Sequence, residues 1–208
     1  MNLIFDLDGT LLYTLDDLQT AVNFALSKFD YPQRSIEEIC SAVGDGLRML
    51  MVRSLPEDVS EEIADRALSV MKEYYTIHCM DQTRPYGGII ELLKKLKSDG
   101  HDICIVSNKA HELVQVLKER FFYGVVDLAL GESAQNAKKP SPDMIHACID
   151  VYGKNAIYIG DSEVDIQTAK NAGIPCISVG WGYRKPEYLL KNGAKKIADS
   201  PLALRELI

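Results

Sequence analysis

Asp6 and Asp8 stand two residues apart in Phe5-Asp6-Leu7-Asp8-Gly9-Thr10, directly after the apolar run Leu3-Ile4-Phe5. Asp161 and Asp165 follow another apolar run, Ala156-Ile157-Tyr158-Ile159, and Ser107-Asn108 closes a third, Ile103-Cys104-Ile105-Val106. Carboxylates with oxygen-rich neighbours and no Cys or His partner make a hard donor set suited to Mg²⁺. Asp6, Asp8 and Asp161 are the expected ligands. Lys139, in Lys138-Lys139-Pro140-Ser141-Pro142, adds a compact positive charge. With Ser107 and backbone amides it could hold the oxygens of a phosphate. Together these are the parts of a phosphoryl-transfer site.

Spacing assigns roles. Asp6 is the first residue past its strand and is rigidly placed to attack phosphorus, giving an aspartyl-phosphate. Asp8 lies close enough to protonate the leaving oxygen and later to take a proton from water. Gly9 permits a tight turn that a side chain would obstruct. Asp165, one helical turn beyond Asp161, is expected to orient a metal-bound water or Lys139.

Elements must bring these distant segments together. The spacing predicts a strand over 3–5, and then helical periodicity from Thr14, with Thr14 and Asp17 as a capping-box-like start. Further helices are expected from Ser35 to about Gly44, from Leu47 to Leu55 and from Ser60 to His78. After Arg84-Pro85-Tyr86-Gly87-Gly88 the pattern alternates. Helices over 89–98, 110–120, 142–152 and 164–172 separate strands over 103–106 and 156–159, with short apolar runs near 125–130 and a strand over 176–179. Ser200-Pro201 opens a last helix. Strands apolar throughout and alternating with helices imply a parallel sheet covered on both faces. The expectation is an α/β, doubly wound core over 1–13 and 81–208, with an all-helical insert over 14–80. In such sheets ligands bind beyond the carboxyl ends of the strands, where three of these segments end, and the fold is expected to bring the loop segment of Lys139 to the same rim.

Composition narrows the partners. The 208-residue chain carries a formal charge of −7, which argues against a broad basic face for nucleic acid. No stretch of about 18 apolar residues occurs and no basic, apolar leader opens the sequence, so no membrane partner and a cytoplasmic location are expected. The five cysteines are widely spaced without a Cys-x-x-Cys pair, so neither a zinc site nor a disulfide framework is indicated. The chain is expected to act as a monomer or homodimer on a small phosphorylated metabolite.

Taken in order, Asp6-Leu7-Asp8-Gly9-Thr10, Ser107-Asn108, Lys139-Pro140 and Gly160-Asp161-Ser162-Glu163-Val164-Asp165 resemble the four motifs of the haloacid dehalogenase superfamily. The helical insert, with Val43-Gly44-Asp45-Gly46-Leu47, is similar to the cap of its phosphoglycolate-phosphatase-like branch, as is Val179-Gly180-Trp181-Gly182-Tyr183. The resemblance covers essentially the whole chain. It implies Mg²⁺-dependent hydrolysis of a phosphomonoester through Asp6, with Asp8 and Lys139 as its catalytic companions. It also implies a phosphate cradle of Gly9, Thr10, Ser107, Asn108 and Lys139, and substrate recognition near Gly44 and Arg48 in the cap. Phosphoglycolate leads as substrate by resemblance alone.

The sequence departs from its relatives at Tyr13-Thr14, where many have Asp-Ser. No histidine precedes His78, which counts against the related sugar-phosphate mutases, and Asp8 argues for a phosphatase over a dehalogenase. Pyrophosphatase, nucleotidase and sugar-phosphate phosphatase activities are the alternatives within the superfamily; a non-catalytic phosphate-binding protein is the alternative outside enzymology. Plainer readings exist for single residues. Asp161 and Asp165 also suit a helix cap, Ser107 an N-cap, and Arg48 a solvated helix face.

Overall fold

Asn2–Phe5 forms strand β1, and every one of its residues is buried: Leu3, Ile4 and Phe5 as expected of an apolar run, and Asn2 with its Nδ2 donating to Cys148 O at 3.1 Å. The computed structural model describes all 208 residues. After β1 come β2 (Leu12–Tyr13), the helices α1 (Leu15–Ser27), α2 (Ile36–Ala42), α3 (Gly46–Ser54) and α4 (Glu61–His78), and β3 (Arg84–Pro85). The alternating part runs α5 (Ile89–Ser98), β4 (Asp102–Ala110), α6 (His111–Phe122), β5 (Leu128–Glu132), α7 (Asp143–Tyr152), β6 (Ala156–Gly160), α8 (Glu163–Ala172) and β7 (Cys176–Val179). It closes with α9 (Pro186–Lys191), β8 (Ile197–Ala198) and α10 (Pro201–Leu207). No helix is long and apolar enough to cross a membrane.

The chain divides into two compact units, one of Met1–Tyr13 with Pro85–Ile208 and the other of Thr14–Arg84. In the first unit a six-stranded sheet has the order β5-β4-β1-β6-β7-β8. All its pairings are parallel, with Ile4 opposite Cys104 on one side and Tyr158 on the other. On one side of β1 the order runs outward through β4 and β5; on the other it runs outward through β6, β7 and β8. The reversal puts a crevice beyond the carboxyl ends of β1 and β6. A core of Ile4, Cys104, Val106, Met144, Ile145, Cys148 and Tyr158 packs α7 against the sheet. Each such fully buried large side chain contributes about 1.5–3 kcal/mol.

The helical unit reaches Arg84, four residues past the boundary expected at 80, and its lock differs from the expected one. Thr14 makes no side-chain cap bond to α1, so the Thr14–Asp17 capping box does not form. Instead the buried Asp17 carboxylate accepts from the backbone N–H groups of Gln82 (2.9 Å) and Thr83 (2.8 Å), tying the start of the unit to its end. The capping box of this unit sits at α2, between Ser35 and Glu38. In the sheet unit β4 continues past Val106 to Ala110, because Ser107 and Ala110 pair with Gly131 and Glu132 of β5 across an irregularity. The short α9 and β8 were not legible: Pro186 at the start of α9 and two residues of β8 carry too little periodicity.

Candidate active site

Strand ends deliver the polar groups. Asp6 follows β1, and its N–H donates to Ile159 of β6 at 2.8 Å, which fixes the turn-off point of the chain. Asp161 follows β6, and Ser107, Asn108 and Lys109 lie near the end of β4. Lys139 arrives from the loop before α7 through a cis Lys139–Pro140 bond. Asn108 clamps that loop in both directions: its Oδ1 accepts from Lys139 N (2.6 Å) and its Nδ2 donates to Lys139 O (3.2 Å).

The Lys139 ammonium is the hub. It is buried and donates to Asp6 (2.7 Å), Asp165 (2.8 Å) and the Tyr158 hydroxyl (3.1 Å), so its three protons are all used. The other oxygen of Asp165 accepts from Ser162 N (3.0 Å) and Ser162 Oγ (2.6 Å), the capping box of α8. Asp165 is therefore held from both sides. Burial alone would lower the proton affinity of Lys139, but the carboxylates of Asp165 and Asp6 outweigh it and hold the ammonium above the usual lysine range.

Asp161 sits among close backbone. Its Oδ1 accepts from Thr10 Oγ1 (3.2 Å) and its Oδ2 from Tyr183 N (2.7 Å). Gly9, at φ +86°, and Gly182 both face it, and a Cβ on either would run into the Asp161 side chain. Trp181 donates to Thr10 O (3.0 Å), which ties the loop after β7 to the turn after β1. Burial, reinforced by the charge of Asp165, pushes the Asp161 carboxyl up to about 7. Burial pushes Asp6 upward too, against the pull of Lys139.

Asp6, Asp161 and Asp165 bring carboxylate oxygens within 4.8 Å of one another. One ammonium serves two of the three, so the cluster is short of positive charge. An all-oxygen, buried and under-compensated set is what a hard divalent cation fits. Asp165 has its charge met by the Lys139 ammonium and its other oxygen held by Ser162, whereas Asp161 accepts only from the neutral donors Thr10 Oγ1 and Tyr183 N, so Asp6 and Asp161 are the carboxylates with charge left to hold a metal. Asp8, expected among the ligands, stands outside this trio. Both its oxygens accept from Lys109 Nζ, at 2.9 and 3.0 Å.

The structure thus brings Asp6, Asp8, Gly9, Thr10, Ser107, Asn108, Lys139, Asp161 and Asp165 to one rim, with tasks that differ in part from expectation. Thr10 hydrogen-bonds Asp161, and the Asn108 amide holds Lys139. The Ser107 hydroxyl accepts from Lys109 N at 3.3 Å. In the helical unit Gly44, at φ +132°, precedes α3, and Arg48 on α3 is exposed and pairs with Asp65 at 3.0 Å, the solvated-face arrangement. Lys138 is exposed, unlike Lys139. Sequence reasoning missed Lys109 and Tyr158. A lysine directly after Ser107-Asn108 was a usable signal; a tyrosine inside an apolar strand reads as core.

Comparison with known proteins places these observations in a family. The family described as haloacid dehalogenase-like hydrolase matches residues 3–179. A phosphoglycolate phosphatase of Thiobacillus denitrificans is 32% identical over 88% of this chain and 84% of its own. One from Pseudomonas syringae pv. tomato is 30% identical over 99% of this chain and 78% of its own. Among solved structures, a Lactobacillus delbrueckii subsp. bulgaricus protein provisionally described as a phosphoglycolate phosphatase superposes with a TM-score of 0.94 at 38% identity, covering 100% of this chain and 97% of that one.

Proposed function

The chain belongs to the haloacid dehalogenase-like hydrolases and is a phosphatase, and from that premise we propose that it hydrolyses a small phosphorylated metabolite through an aspartyl-phosphate on Asp6, with Mg²⁺ as cofactor. Phosphoglycolate is the leading substrate, because it is the one in the names of the similar proteins. The observation that carries the reading is the buried Lys139 bridge to Asp6 at 2.7 Å and Asp165 at 2.8 Å, beside the under-compensated Asp161. Such a site fixes one carboxylate oxygen and keeps a positive charge where phosphoryl charge develops.

In this reading Asp6 and Asp161 would hold the metal. When bound, Mg²⁺ offsets the repulsion between the Asp6 carboxylate and the anionic phosphate. The free Asp6 oxygen attacks phosphorus, the bond from phosphorus to the ester oxygen breaks, and its electron pair leaves with that oxygen. Asp8 gives the departing oxygen a proton. Water then attacks the same phosphorus, Asp8 takes its proton, and the Asp6–phosphorus bond breaks to return the carboxylate. Lys139 stays against Asp6 throughout, held by Asp165, Tyr158 and the Asn108 clamp. Gly9, Thr10 and Ser107 are assigned to the surroundings of the phosphate, and Gly44 and Arg48 to substrate selection by the helical unit.

The test is turnover of p-nitrophenyl phosphate and phosphoglycolate by purified protein with Mg²⁺ and with excess chelator. The reading expects Mg²⁺-dependent release of phosphate that Asp6→Asn abolishes. Undiminished turnover in chelator would remove the metal from the mechanism. Binding of phosphate with no turnover of any ester would favour the non-catalytic alternative.

A further inference from the structure

The loop after β7, Gly180-Trp181-Gly182-Tyr183, has no task in the phosphatase reading, yet it is built against one carboxylate. Its start is pinned, with Gly180 N donating to Ala198 O of β8 at 2.9 Å. Gly182 then passes Asp161 so closely that a Cβ on it would run into the Asp161 Cβ and the Gly9 carbonyl oxygen. Only glycine lets the chain through there. Tyr183 follows and gives its N–H to Asp161 Oδ2 at 2.7 Å.

Trp181 reaches the other oxygen of Asp161 by a relay. The chain has one tryptophan; it is half-buried, and its indole N–H donates to Thr10 O at 3.0 Å. Thr10 is buried, and its hydroxyl donates to Asp161 Oδ1 at 3.2 Å. Within this turn the Leu7 carbonyl gathers the N–H groups of Thr10, Leu11 and Leu12, so the donor to the Thr10 carbonyl comes from outside, from Trp181. A β-branched side chain is stiff at χ1, so holding the Thr10 backbone also holds its hydroxyl on Asp161. One neutral donor on each oxygen orients the carboxylate and leaves each oxygen a lone pair. Asp161 is thus fixed without being neutralised, unlike Asp165, whose charge meets Lys139. Mg²⁺ tolerates little departure from octahedral geometry, so it gains most from a ligand placed in advance.

We propose that Trp181 is a positioning residue for Asp161, acting through Thr10, and that it sets how tightly the site takes Mg²⁺. This role rests on the reading of Asp161 as a carboxylate that holds the metal.

Calorimetric titration of the whole chain with Mg²⁺ tests it in the wild type, Trp181→Phe, Thr10→Val and the double variant. Trp181→Phe keeps an aromatic ring and loses the donor. Its Mg²⁺ Kd is expected to rise about 10-fold or more, the scale for losing a group that orients a metal ligand. Thr10→Val is expected to weaken binding by a similar factor. Adding Trp181→Phe to Thr10→Val should then change Kd by less than about twofold, because the relay is already cut. Turnover of p-nitrophenyl phosphate by Trp181→Phe should recover at saturating Mg²⁺, a split between cation affinity and kcat. A tryptophan that only packs would lower Tm and leave Kd where it was; that result overturns the proposal, as does an equal loss in both backgrounds. One check needs no variant to fold. The single tryptophan gives a single indole N–H signal in a proton–nitrogen correlation spectrum, and that signal is expected to move along the calorimetric Mg²⁺ isotherm. An indole signal indifferent to Mg²⁺ overturns the relay. Wild-type Mg²⁺ binding that Trp181→Phe leaves unchanged defeats the role of Trp181 alone; no Mg²⁺ binding by the wild type defeats it together with the metal reading.

Discussion

Lys139→Ala removes an ammonium that touches Asp6 at 2.7 Å, Asp165 at 2.8 Å and Tyr158 at 3.1 Å. Two consequences follow at different levels. Removing one partner of a buried ion pair costs about 3–5 kcal/mol, because the carboxylates left behind have neither water nor a counter-charge. For a chain of this size that is a fall in Tm of roughly 10 °C. The loss depends on pH. Burial already raises the carboxyls of Asp6 and Asp161, the latter to about 7, and without Lys139 they rise further. Below that range they take up protons and the charge problem vanishes, so the destabilisation is largest at pH 8 and smallest near pH 5.5. Catalytically, losing one charge contact to the transferring phosphoryl group costs about 10²-fold or more in kcat. Thermal melts in chelator at both pH values, with p-nitrophenyl phosphate turnover in Mg²⁺, measure both effects. Lys138→Ala, on an exposed neighbour, is the control and should stay within about 0.5 kcal/mol of the wild type. A Lys139→Ala protein retaining more than a tenth of its turnover, or a Lys138→Ala protein losing as much, would refute the assignment.

Mg²⁺ affinity should fall about tenfold per pH unit below 7 and level off above it, because the cation competes with the proton on Asp161; titration by calorimetry checks this. The same raised carboxyl makes the metal-free protein more stable as pH falls through 7, since the folded chain binds a proton that the unfolded one releases. Asp17→Ala should destabilise the protein by about 2 kcal/mol or more, because the Gln82 and Thr83 N–H groups lose their acceptor, whereas loss of the Ser35 cap costs nearer 1 kcal/mol; urea melts compare them. Asp8→Asn should lose alkyl phosphates far more than p-nitrophenyl phosphate, whose leaving group needs little protonation. Equal losses in parallel kcat/KM measurements would remove Asp8 from acid–base work.

Much of the fold was legible because its strands are apolar throughout and its helices carry clear period and punctuation. β1, β6 and β7 lie where their apolar runs fall, and Ser60, Ser35 and Ser200 each cap the helix they precede. Strand ends were then enough to gather Asp6, Asp161 and Ser107, with Lys139 expected from a loop at the same rim. What stayed hidden depends on contacts distant in sequence. Thr14 and Asp17 have capping-box spacing, but Asp17 finds a stronger use on backbone donors 65 and 66 residues away. Nothing near Asp8 in the sequence announces Lys109, 101 residues on, whose ammonium meets both of its carboxylate oxygens. Tyr158 alternates like any core residue, and only the arrival of Lys139 and Asp165 gives its hydroxyl a purpose. Asn108, placed beside phosphate by resemblance, spends its amide on the Lys139 backbone.

The central claim is a covalent phosphoryl group on Asp6, and it can be caught directly. In Asp8→Asn the first step survives with an aryl leaving group, while the second lacks the base that activates water. Rapid acid quench of that variant after mixing with p-nitrophenyl phosphate and Mg²⁺, followed by intact-mass and peptide mass spectrometry, should show one added phosphoryl group on the peptide holding Asp6. The doubly substituted Asp6→Asn, Asp8→Asn protein should show none. A phosphoryl group on any other residue, or a nitrophenolate burst with no covalent phosphate, would contradict the account.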